Sequence, residues 1–479
     1  MSDPSVDRAD IAASRASLDE LDRALAALGV DVAGFDQVRT GGGAGVDAGD
    51  GAGFGPVTGA AVREPTTERR SRSRSRSGRP LPRNFRLLWG ATALSNLGDG
   101  LRLVALPLLA TTVTDDPRLI AGVTVAERLP WLIFILPGGA WADRYDRRIL
   151  RMRLDIARSF VMAALAALVV LDQVSIWALF VVAALLASAE AVVDSSSMAM
   201  IPATVDHADL ERAVGRLGST ELAMNDLVGP PIGGLLFGLA IAVPFGLDAL
   251  SFAGAALVMA FMTGGYSSGA ARTPGVHMRA QLSEGFRWLW NQHLLRMLAV
   301  ISTGLGTASF IGNGVFVIYA RDVLDLSEFG YGVLLVPGAI GGIIGSLVAP
   351  RFRHAPLRTT LSCAVLGSGI ATWMMSLTSI AVVAGLLSAI SLASVMVWNV
   401  LTLALRQRLI PNELLGRVGA SYRFLVYLGM PVGALIGGLL ANAYGVRSAI
   451  FVSGSILIFI GLVIPGALRG AERVAASSG

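Results

Sequence analysis

The sequence contains no lysine and only one cysteine among its 479 residues, so all 39 basic residues are arginine. A phosphate-binding loop of the form G-x-x-x-x-G-K-[ST] requires a lysine, which excludes an ATP-driven pump within this chain. The single cysteine, Cys363, cannot form a disulfide or a thiolate metal cluster within the chain. We predict neither a metal site nor a cofactor, because the histidines all lie in or beside predicted loops: His207, His277, His293 and His354.

Charged residues are also scarce. They make up 15% of the chain, against 53% hydrophobic residues, and the mean hydropathy is +0.63. A soluble domain carries about 25% charged residues, whereas a helix that crosses a membrane needs about 20 apolar residues in a row. The sequence therefore predicts an all-α polytopic membrane protein with twelve transmembrane helices, at residues 84–112, 117–141, 149–171, 175–200, 217–240, 246–263, 294–320, 328–349, 359–378, 380–404, 418–440 and 447–467.

Arginine positions predict the orientation of these helices, because arginine near the ends of membrane spans stays on the cytoplasmic side. One set of loops holds most of the arginines, including Arg151 and Arg153 beside the third span. The opposite loops hold little beyond Arg118, Arg321 and Arg447. The sequence therefore predicts a multi-pass protein of the plasma membrane, with both termini in the cytoplasm.

Residues 1–80 are rich in glycine, alanine, aspartate and serine, which predicts a disordered cytoplasmic tail. Leucines at helical spacing between Ala16 and Leu28 suggest either a transient helix or a docking helix. Arginines crowd residues 63–86 and favour attraction to anionic lipid, at about 1 kcal/mol for each arginine. Nucleic-acid binding is disfavoured, because no aromatic stacking residue lies among them. Residues 469–479 form a second predicted cytoplasmic tail.

An internal repeat with an offset of 201 residues indicates two related halves. Three pairs align at this offset: Arg216 with Arg417, Gly218 with Gly419, and Pro230 with Pro431. The repeat predicts two pseudo-symmetric six-helix halves at residues 81–263 and 294–468. The cytoplasmic linker between them, residues 264–293, contains apolar residues at helical spacing, which predicts an amphipathic helix on the membrane surface.

Charged residues inside the predicted spans cost about 2.5 to 3.5 kcal/mol each at the helix centre, so they indicate a partner or a function. Asn96, Asp99 and Arg102 recur at intervals of three and share one face of the first span. One hypothesis is that Asp99 binds and releases a proton while Arg102 controls its proton affinity. The alternative is a permanent structural ion pair. Further proton-coupling candidates on the second and fourth spans are Glu127, Arg128 and Glu190.

Between the second and third spans the chain reads Gly139-Ala-Trp-Ala-Asp143-Arg144-Tyr-Asp146-Arg147-Arg148. This segment resembles the loop between helices 2 and 3 of the major facilitator superfamily, G-x-L-x-D-R-x-G-R-R. It departs from that pattern at Trp141 and at Asp146, and the aspartate leaves the turn geometry open. The resemblance implies a gating latch in which Asp143 caps the start of the eleventh span while arginines bind acidic partners. Asp194 in the fourth span is the candidate partner for Arg144 or Arg147.

In the fifth span, Gly229-Pro230-Pro231-Ile232-Gly233-Gly234 resembles the antiporter motif of the same superfamily, G-P-x-x-G-G. Proline bends a helix and glycine permits close approach of a neighbour. The resemblance implies export against proton entry, and the alternative is a simple packing face of small residues. The first span, from Asn84 to Gly100, is similar to that of the drug-efflux branch, which includes macrolide and enterobactin exporters.

Together these patterns predict a secondary active transporter that exports small amphiphilic compounds in exchange for protons by alternating access. Two alternatives stay open: an importer of the same fold, and a membrane-anchored scaffold that recruits a partner through its N-terminal tail. The sequence shows no nucleophile, metal or phosphate signature of an enzyme, and we predict a monomer. Candidate residues of the substrate cavity, for which packing is the alternative role, are Asn96, Trp131, Phe310, Asn313, Phe316, Trp398 and Asn399.

Overall fold

A computed structural model describes residues 81–134, 145–266, 278–411 and 413–468, and side chains 278–282 and 354 are not described. Within these ranges all regular secondary structure is helical. The predicted tails at residues 1–80 and 469–479 lie outside the described residues.

The long helices, in chain order, are α1 (Arg83–Val113), α2 (Pro117–Phe134), α3 (Arg147–Val170), α4 (Ile176–Thr204), α5 (Leu210–Glu221, the π-helical Leu222–Val228, and Gly229–Leu239), α6 (Val243–Ala260), α7 (His293–Asn313, extended by Phe316–Ile318 and the π-helical Tyr319–Val323), α8 (Glu328–Val348), α9 (Leu357–Met375), α10 (Ala381–Leu409), α11 (Leu415–Tyr444) and α12 (Val446–Ala467). Each predicted span overlaps one of these helices. The largest difference at a start is in α5, which begins at Leu210 rather than at residue 217.

Eight helices in the described part are long and apolar enough to cross a membrane: α4, α5, α6, α7, α8, α10, α11 and α12. Three of the others, α1, α2 and α3, carry most of the charged side chains that meet in the interior. The outer surface is apolar as well, since Phe160, Leu250 and Phe459 are 72%, 67% and 67% exposed. Soluble proteins avoid extended apolar surfaces of this kind, so the surface fits a lipid environment.

Several helices begin at a side-chain cap that satisfies free backbone N–H groups. The Asp146 carboxylate accepts hydrogen bonds from the backbone N–H groups of Arg148 and Ile149 at the start of α3. Ser175 and Ser327 cap α4 and α8 in the same way. These caps fix where each chain segment enters the bundle.

The first six helices and the last six pack in the same order. In the first group, α1 contacts α5 and α6, α3 contacts α4 and α6, and α2 contacts α4. In the second, α7 contacts α11 and α12, α9 contacts α10 and α12, and α8 contacts α10. The groups meet where α2 contacts α11 and where α5 contacts α8. Each of these pairings therefore recurs when six is added to the helix number.

A shorter helix, Met278–Asn291, lies between α6 and α7 and is called the linker helix below. It packs against the start of α11, where a Cβ on Gly285 would stand 2.5 Å from the backbone oxygen of Arg417. The Arg417 guanidinium also lies 2.7 Å from a carboxylate oxygen of Glu284. The linker helix thus marks one end of the bundle.

Candidate functional site

A network of buried charges joins α1 to three neighbouring helices. The guanidinium Nη2 of Arg102 lies 2.9 Å from Oδ1 of Asp99, and Nη2 of Arg158 in α3 lies 2.6 Å from the same oxygen. Asp99 and Arg102 are each 7% exposed, and Arg158 is 1% exposed. Asp99 is therefore a buried carboxylate that accepts hydrogen bonds from two guanidinium groups.

Arg102 also reaches two carboxylates on other helices. Its Nη1 lies 3.3 Å from Oε1 of Glu127 in α2, and its Nη2 lies 3.2 Å from Oε2 of Glu190 in α4. The structure thus brings together four of the five residues proposed for proton coupling. The fifth, Arg128, directs its guanidinium over the ring of Phe310 in α7, at 5.4 Å from the ring centroid.

The prediction that Arg151 is a loop charge is wrong. Its side chain is 1% exposed inside α3, where Nη1 donates to Ser197 Oγ at 2.5 Å and to Thr92 Oγ1 at 3.1 Å. Its Nε lies 3.5 Å from Oδ2 of Asp155, which is itself fully buried. Arg153, which was predicted together with Arg151 as a loop charge, is exposed. Three buried charges of α3, at positions 151, 155 and 158, thus belong to the interior.

Asp248 in α6 is a further buried carboxyl that the sequence reasoning missed. It is 0% exposed, and its Oδ1 accepts a hydrogen bond from Ser251 Oγ at 3.3 Å. Helix α1 passes so close that a Cβ on Gly98 would overlap the Asp248 carboxyl. The sequence does contain a signal for this residue, because Asp248 is the lone acidic residue of the otherwise apolar predicted span 246–263.

The described part of the latch binds helix ends. Arg147 Nη1 donates to the backbone oxygen of Ala199 in α4 at 3.1 Å. Arg148 donates to the backbone oxygens of Met259 and Ala260 at the end of α6, at 3.1 and 2.8 Å. Cations are favoured there, because the last carbonyls of a helix carry partial negative charge. Three latch residues lie outside the described residues: Gly139, Asp143 and Arg144.

Two acidic residues assigned to the latch region, Asp146 and Asp194, lie within the described residues. Asp146 stands where the superfamily pattern has glycine, and it provides the N-cap of α3 described above. Its Oδ2 also accepts a hydrogen bond from the backbone N–H of Tyr266 at 3.0 Å. Asp194 is exposed on α4. The departure from glycine therefore adds a cap that also holds the segment after α6.

The glycines of the antiporter motif lie at close helix contacts. A Cβ on Gly229 would stand 2.5 Å from Cα of Gly100 in α1, and one on Gly233 would stand 2.6 Å from the backbone oxygen of Leu101. On the opposite face of α5, Gly234 and the buried Pro230 lie against the first residues of α8. A side chain at Gly234 would overlap the backbone of Glu328. The motif therefore packs α5 tightly between α1 and α8.

The two groups of helices make close backbone contacts at the end away from the linker helix. Near the start of α2, a Cβ on Gly438 of α11 would stand 2.8 Å from Cβ of Ala121 and 3.0 Å from the Pro117 oxygen. At the start of α8, Gly332 lies against the backbone of Pro230. This end of the bundle is closed.

The candidate cavity residues fall into different surroundings. Trp131 makes an edge contact with Tyr427 of α11 at 6.1 Å between ring centroids, and Phe316 stacks on Tyr319. Trp398 is 2% exposed, and its Nε1 donates to Ser302 Oγ at 3.2 Å, so it packs within the second group of helices. The three amides are partly buried or exposed: Asn96, Asn313 and Asn399. In the described part, no group of three metal-ligating side chains is present.

Sequence comparisons place these features among transporters. The family model of transmembrane secretion effectors matches residues 79–476. The multidrug efflux pump Tap of Mycobacterium tuberculosis is 28% identical over 397 residues, which cover 79% of this chain and 91% of that protein. Macrolide efflux protein A of Streptococcus pyogenes is 22% identical, covering 80% and 95%. The enterobactin exporter EntS of Shigella boydii is 27% identical, covering 79% and 90%.

Solved structures share the fold. A bacterial homologue of the human lysosomal transporter Spinster, in an inward-facing and unoccupied conformation, gives a TM-score of 0.63 at 14% identity and covers 81% of this chain and 96% of its own. The nucleoside transporter NupG gives 0.66 at 12% identity, covering 80% and 99%. The family match covers most of the chain, and it confirms the resemblance of the loop and helix motifs. The chain belongs to the transmembrane secretion effector family of the major facilitator superfamily of membrane transporters.

Proposed function

We propose that this transporter exports small amphiphilic compounds in exchange for protons by alternating access. The observation that carries the proposal is the buried network in which Arg102 and Arg158 each lie within ion-pair distance of Asp99. Charges inside a membrane protein usually mark ion or substrate pathways. The efflux functions named for the relatives support the direction of transport and the class of substrate.

The proposal includes twelve membrane spans in two halves, residues 81–263 and 294–468. The repeat of 201 residues and the recurring order of helix contacts both support this division. The start of α1, the linker helix and the end of α12 share the side that carries most of the loop arginines. We assign this side to the cytoplasm and the protein to the plasma membrane as a monomer, with anionic lipid as the partner of the arginine-rich residues 63–86.

The basis for proton coupling is that two arginines, Arg102 and Arg158, share Asp99 as their acceptor. Its Oδ1 accepts from two guanidinium groups, and Arg102 in turn ties α1 to α2 and α4. A proton on Asp99 itself, or a nearby carboxylate that competes for one of its arginines, would weaken the pairing that holds both arginines. The arginines then need other partners, which favours a different arrangement of these helices. While its Oδ1 accepts from both guanidinium groups, Asp99 stays ionised.

The antiporter motif acts as the seal on the outer side. Gly229 and Gly233 let α5 approach α1, and Gly234 lets it approach α8. These contacts close the end away from the linker helix, which is the proposed outer side. The latch stabilises the opposite state, in which Asp143, Arg144 and Asp194 hold the cytoplasmic side closed.

Substrate binds between the two halves, near the midplane, as is usual for transporters with internal repeats. Trp131 and Phe310 are the best-placed candidates, because both lie where α2 meets the second half. The remaining candidates for the wall of the substrate cavity are Asn96, Asn313, Phe316 and Asn399, with Trp398 packed behind them. A wall of aromatic and amide groups suits compounds with one apolar and one polar side.

Proteoliposomes test this proposal. An imposed pH gradient should drive accumulation of a lipophilic cation, a macrolide or a siderophore, with substrate-dependent proton movement across the vesicle membrane. Asp99→Asn should abolish proton movement, whereas Asp116→Asn should not, because Asp116 lies in a loop and forms an exposed ion pair with Arg118. Proton-coupled movement that survives in Asp99→Asn would overturn the coupling role. Substrate movement in the reverse direction under the same gradient would identify an importer.

A further inference from the structure

Carboxylates outnumber guanidinium groups in the interior of the first six helices. The buried or partly buried acids there include Asp99, Glu127, Asp155, Glu190 and Asp248. The arginines are Arg102, Arg151 and Arg158, with Arg128 at the boundary to α7. If every group were ionised, this interior would hold at least one uncompensated negative charge. Such a charge is strongly disfavoured away from water, so at least one acid is neutral.

Asp248 differs from the other four acids. Each of the others has an oxygen within 4.0 Å of an arginine nitrogen. Asp248 makes no ion pair among the described residues, and its only side-chain hydrogen bond is to Ser251 on its own helix. Its Oδ2 is buried without any hydrogen-bond partner in the same part of the structure. A protonated carboxyl tolerates this setting far better than a carboxylate, because it carries no net charge.

The surroundings of Asp248 connect it to the charge network. It faces Asp99 and Arg102 of α1 and Arg158 of α3. One turn further along α6, the ring of Phe252 lies under the Arg158 guanidinium, at 3.9 Å from the ring centroid. Arg158 therefore lies along the face of α6 that presents Asp248. A small movement of α6 relative to α3 brings the two groups into contact.

We propose that Asp248, rather than Asp99, carries the coupling proton and that Asp99 is the partner from which Arg158 is exchanged, an assignment that rests on the proton exchange proposed above. In this conformation the proton is bound to the Asp248 carboxyl, and Arg158 pairs with Asp99. Release breaks the O–H bond, the proton passes to water, and the electron pair stays on the carboxylate. That carboxylate then takes Arg158 from Asp99, which repacks α6 against α1 and α3. Protonation from the other side of the membrane forms the O–H bond again and returns Arg158 to Asp99.

Infrared difference spectroscopy tests the location of the proton without any transport. The wild-type protein should show the C=O stretch of a protonated carboxyl in a buried site, and the band should disappear at high pH. Asp248→Asn should lose this band, and the loop variant Asp116→Asn should keep it. A band that persists unchanged in Asp248→Asn would overturn the assignment whatever the transport assays show.

Transport assays test the role of the proton. Asparagine reproduces the shape and neutrality of the protonated acid, so Asp248→Asn should fold, bind substrate and exchange labelled for unlabelled substrate. It should lose substrate-driven proton movement and accumulation against a gradient. Full proton coupling in Asp248→Asn would overturn the proposal. Failure of this variant to fold would also overturn it, because folding would then require the charged form.

The two proposals fail in different ways. If the wild-type protein moves substrate without protons, the proposed antiport is wrong, yet the infrared band still reports whether Asp248 is protonated. If the wild type couples protons and Asp248→Asn does so equally, only the assignment of Asp248 is wrong. Asp248→Glu provides a further control, because it keeps an ionisable group and should restore part of the proton movement.

Discussion

At the residue scale, Arg158 holds the most buried part of the charge network together. It lies 2.6 Å from Asp99, donates to Ser95 Oγ at 3.2 Å and covers the ring of Phe252. Arg158→Ala leaves buried carboxylates without their partner, which typically costs about 3–5 kcal/mol. We therefore expect a marked fall in the Tm of the purified protein and loss of coupled transport.

Arg153→Ala is the matched control for this change. Arg153 lies on the same helix but is exposed, so its removal should leave the Tm within the error of the measurement. Equal Tm values for Arg158→Ala and wild type would show that the network contributes nothing to stability.

Part of this network follows from the sequence alone. Asp99 and Arg102 are three residues apart, and this spacing correctly indicates that they pair. Arg151, Asp155 and Arg158 also share a helical face, but proximity to a predicted loop outweighed that signal. Asp248 shows a different limit, because its surroundings come from α1 and α3. Contacts between helices distant in the chain leave no readable trace in a single sequence.

At the element scale, the Asp146 cap of α3 is directly testable. Asp146→Ala removes acceptors for the N–H groups of Arg148, Ile149 and Tyr266. Loss of a helix cap costs about 0.5–2 kcal/mol, so we expect a modest fall in Tm. Asp209→Ala serves as control, since Asp209 precedes α5 without forming a side-chain cap. Equal effects of the two changes would mean that the cap does not stabilise α3.

The close approach of α5 to α1 gives a second prediction for an element. In Gly229→Ala, the new Cβ would stand 2.5 Å from Cα of Gly100, so the helices must separate. Overpacking costs about 1–3 kcal/mol, which shifts an equilibrium between two states by about 5- to 150-fold. We expect slower transport and a raised proton leak through vesicles without substrate.

Gly238→Ala is the control on the same helix, because its Cβ would find ordinary contacts at 3.7 Å. A proton leak in Gly229→Ala no larger than in Gly238→Ala would contradict the sealing role of the motif. The sequence indicated this packing through its glycines and prolines. It did not indicate the π-helical turn at Leu222–Val228, whose carbonyls lie against Gly100, because such turns depend on the neighbouring helix.

At the scale of the whole molecule, the internal repeat predicted more of the helix arrangement than any single motif did. An offset of 201 residues relates α5 to α11, and the structure shows corresponding helix contacts in both groups. The sequence did not predict which end of the bundle is closed. A transporter must populate both states with one sequence, so the small energy difference between them cannot be read from residue patterns.

A reversible cross-link at the closed end tests alternating access for the molecule as a whole. Ala121 and Gly438 are close enough, with Cβ positions 2.8 Å apart, for a pair of cysteines to form a disulfide after a small adjustment. Because Cys363 is the only native cysteine, Cys363→Ser provides a clean background. In Ala121→Cys with Gly438→Cys, oxidation should fix the closed end and stop transport, and reduction should restore it. Each single cysteine variant should be insensitive to oxidant. Undiminished transport in fully cross-linked protein would mean that this end need not open, which is incompatible with alternating access through the gap between α2 and α11.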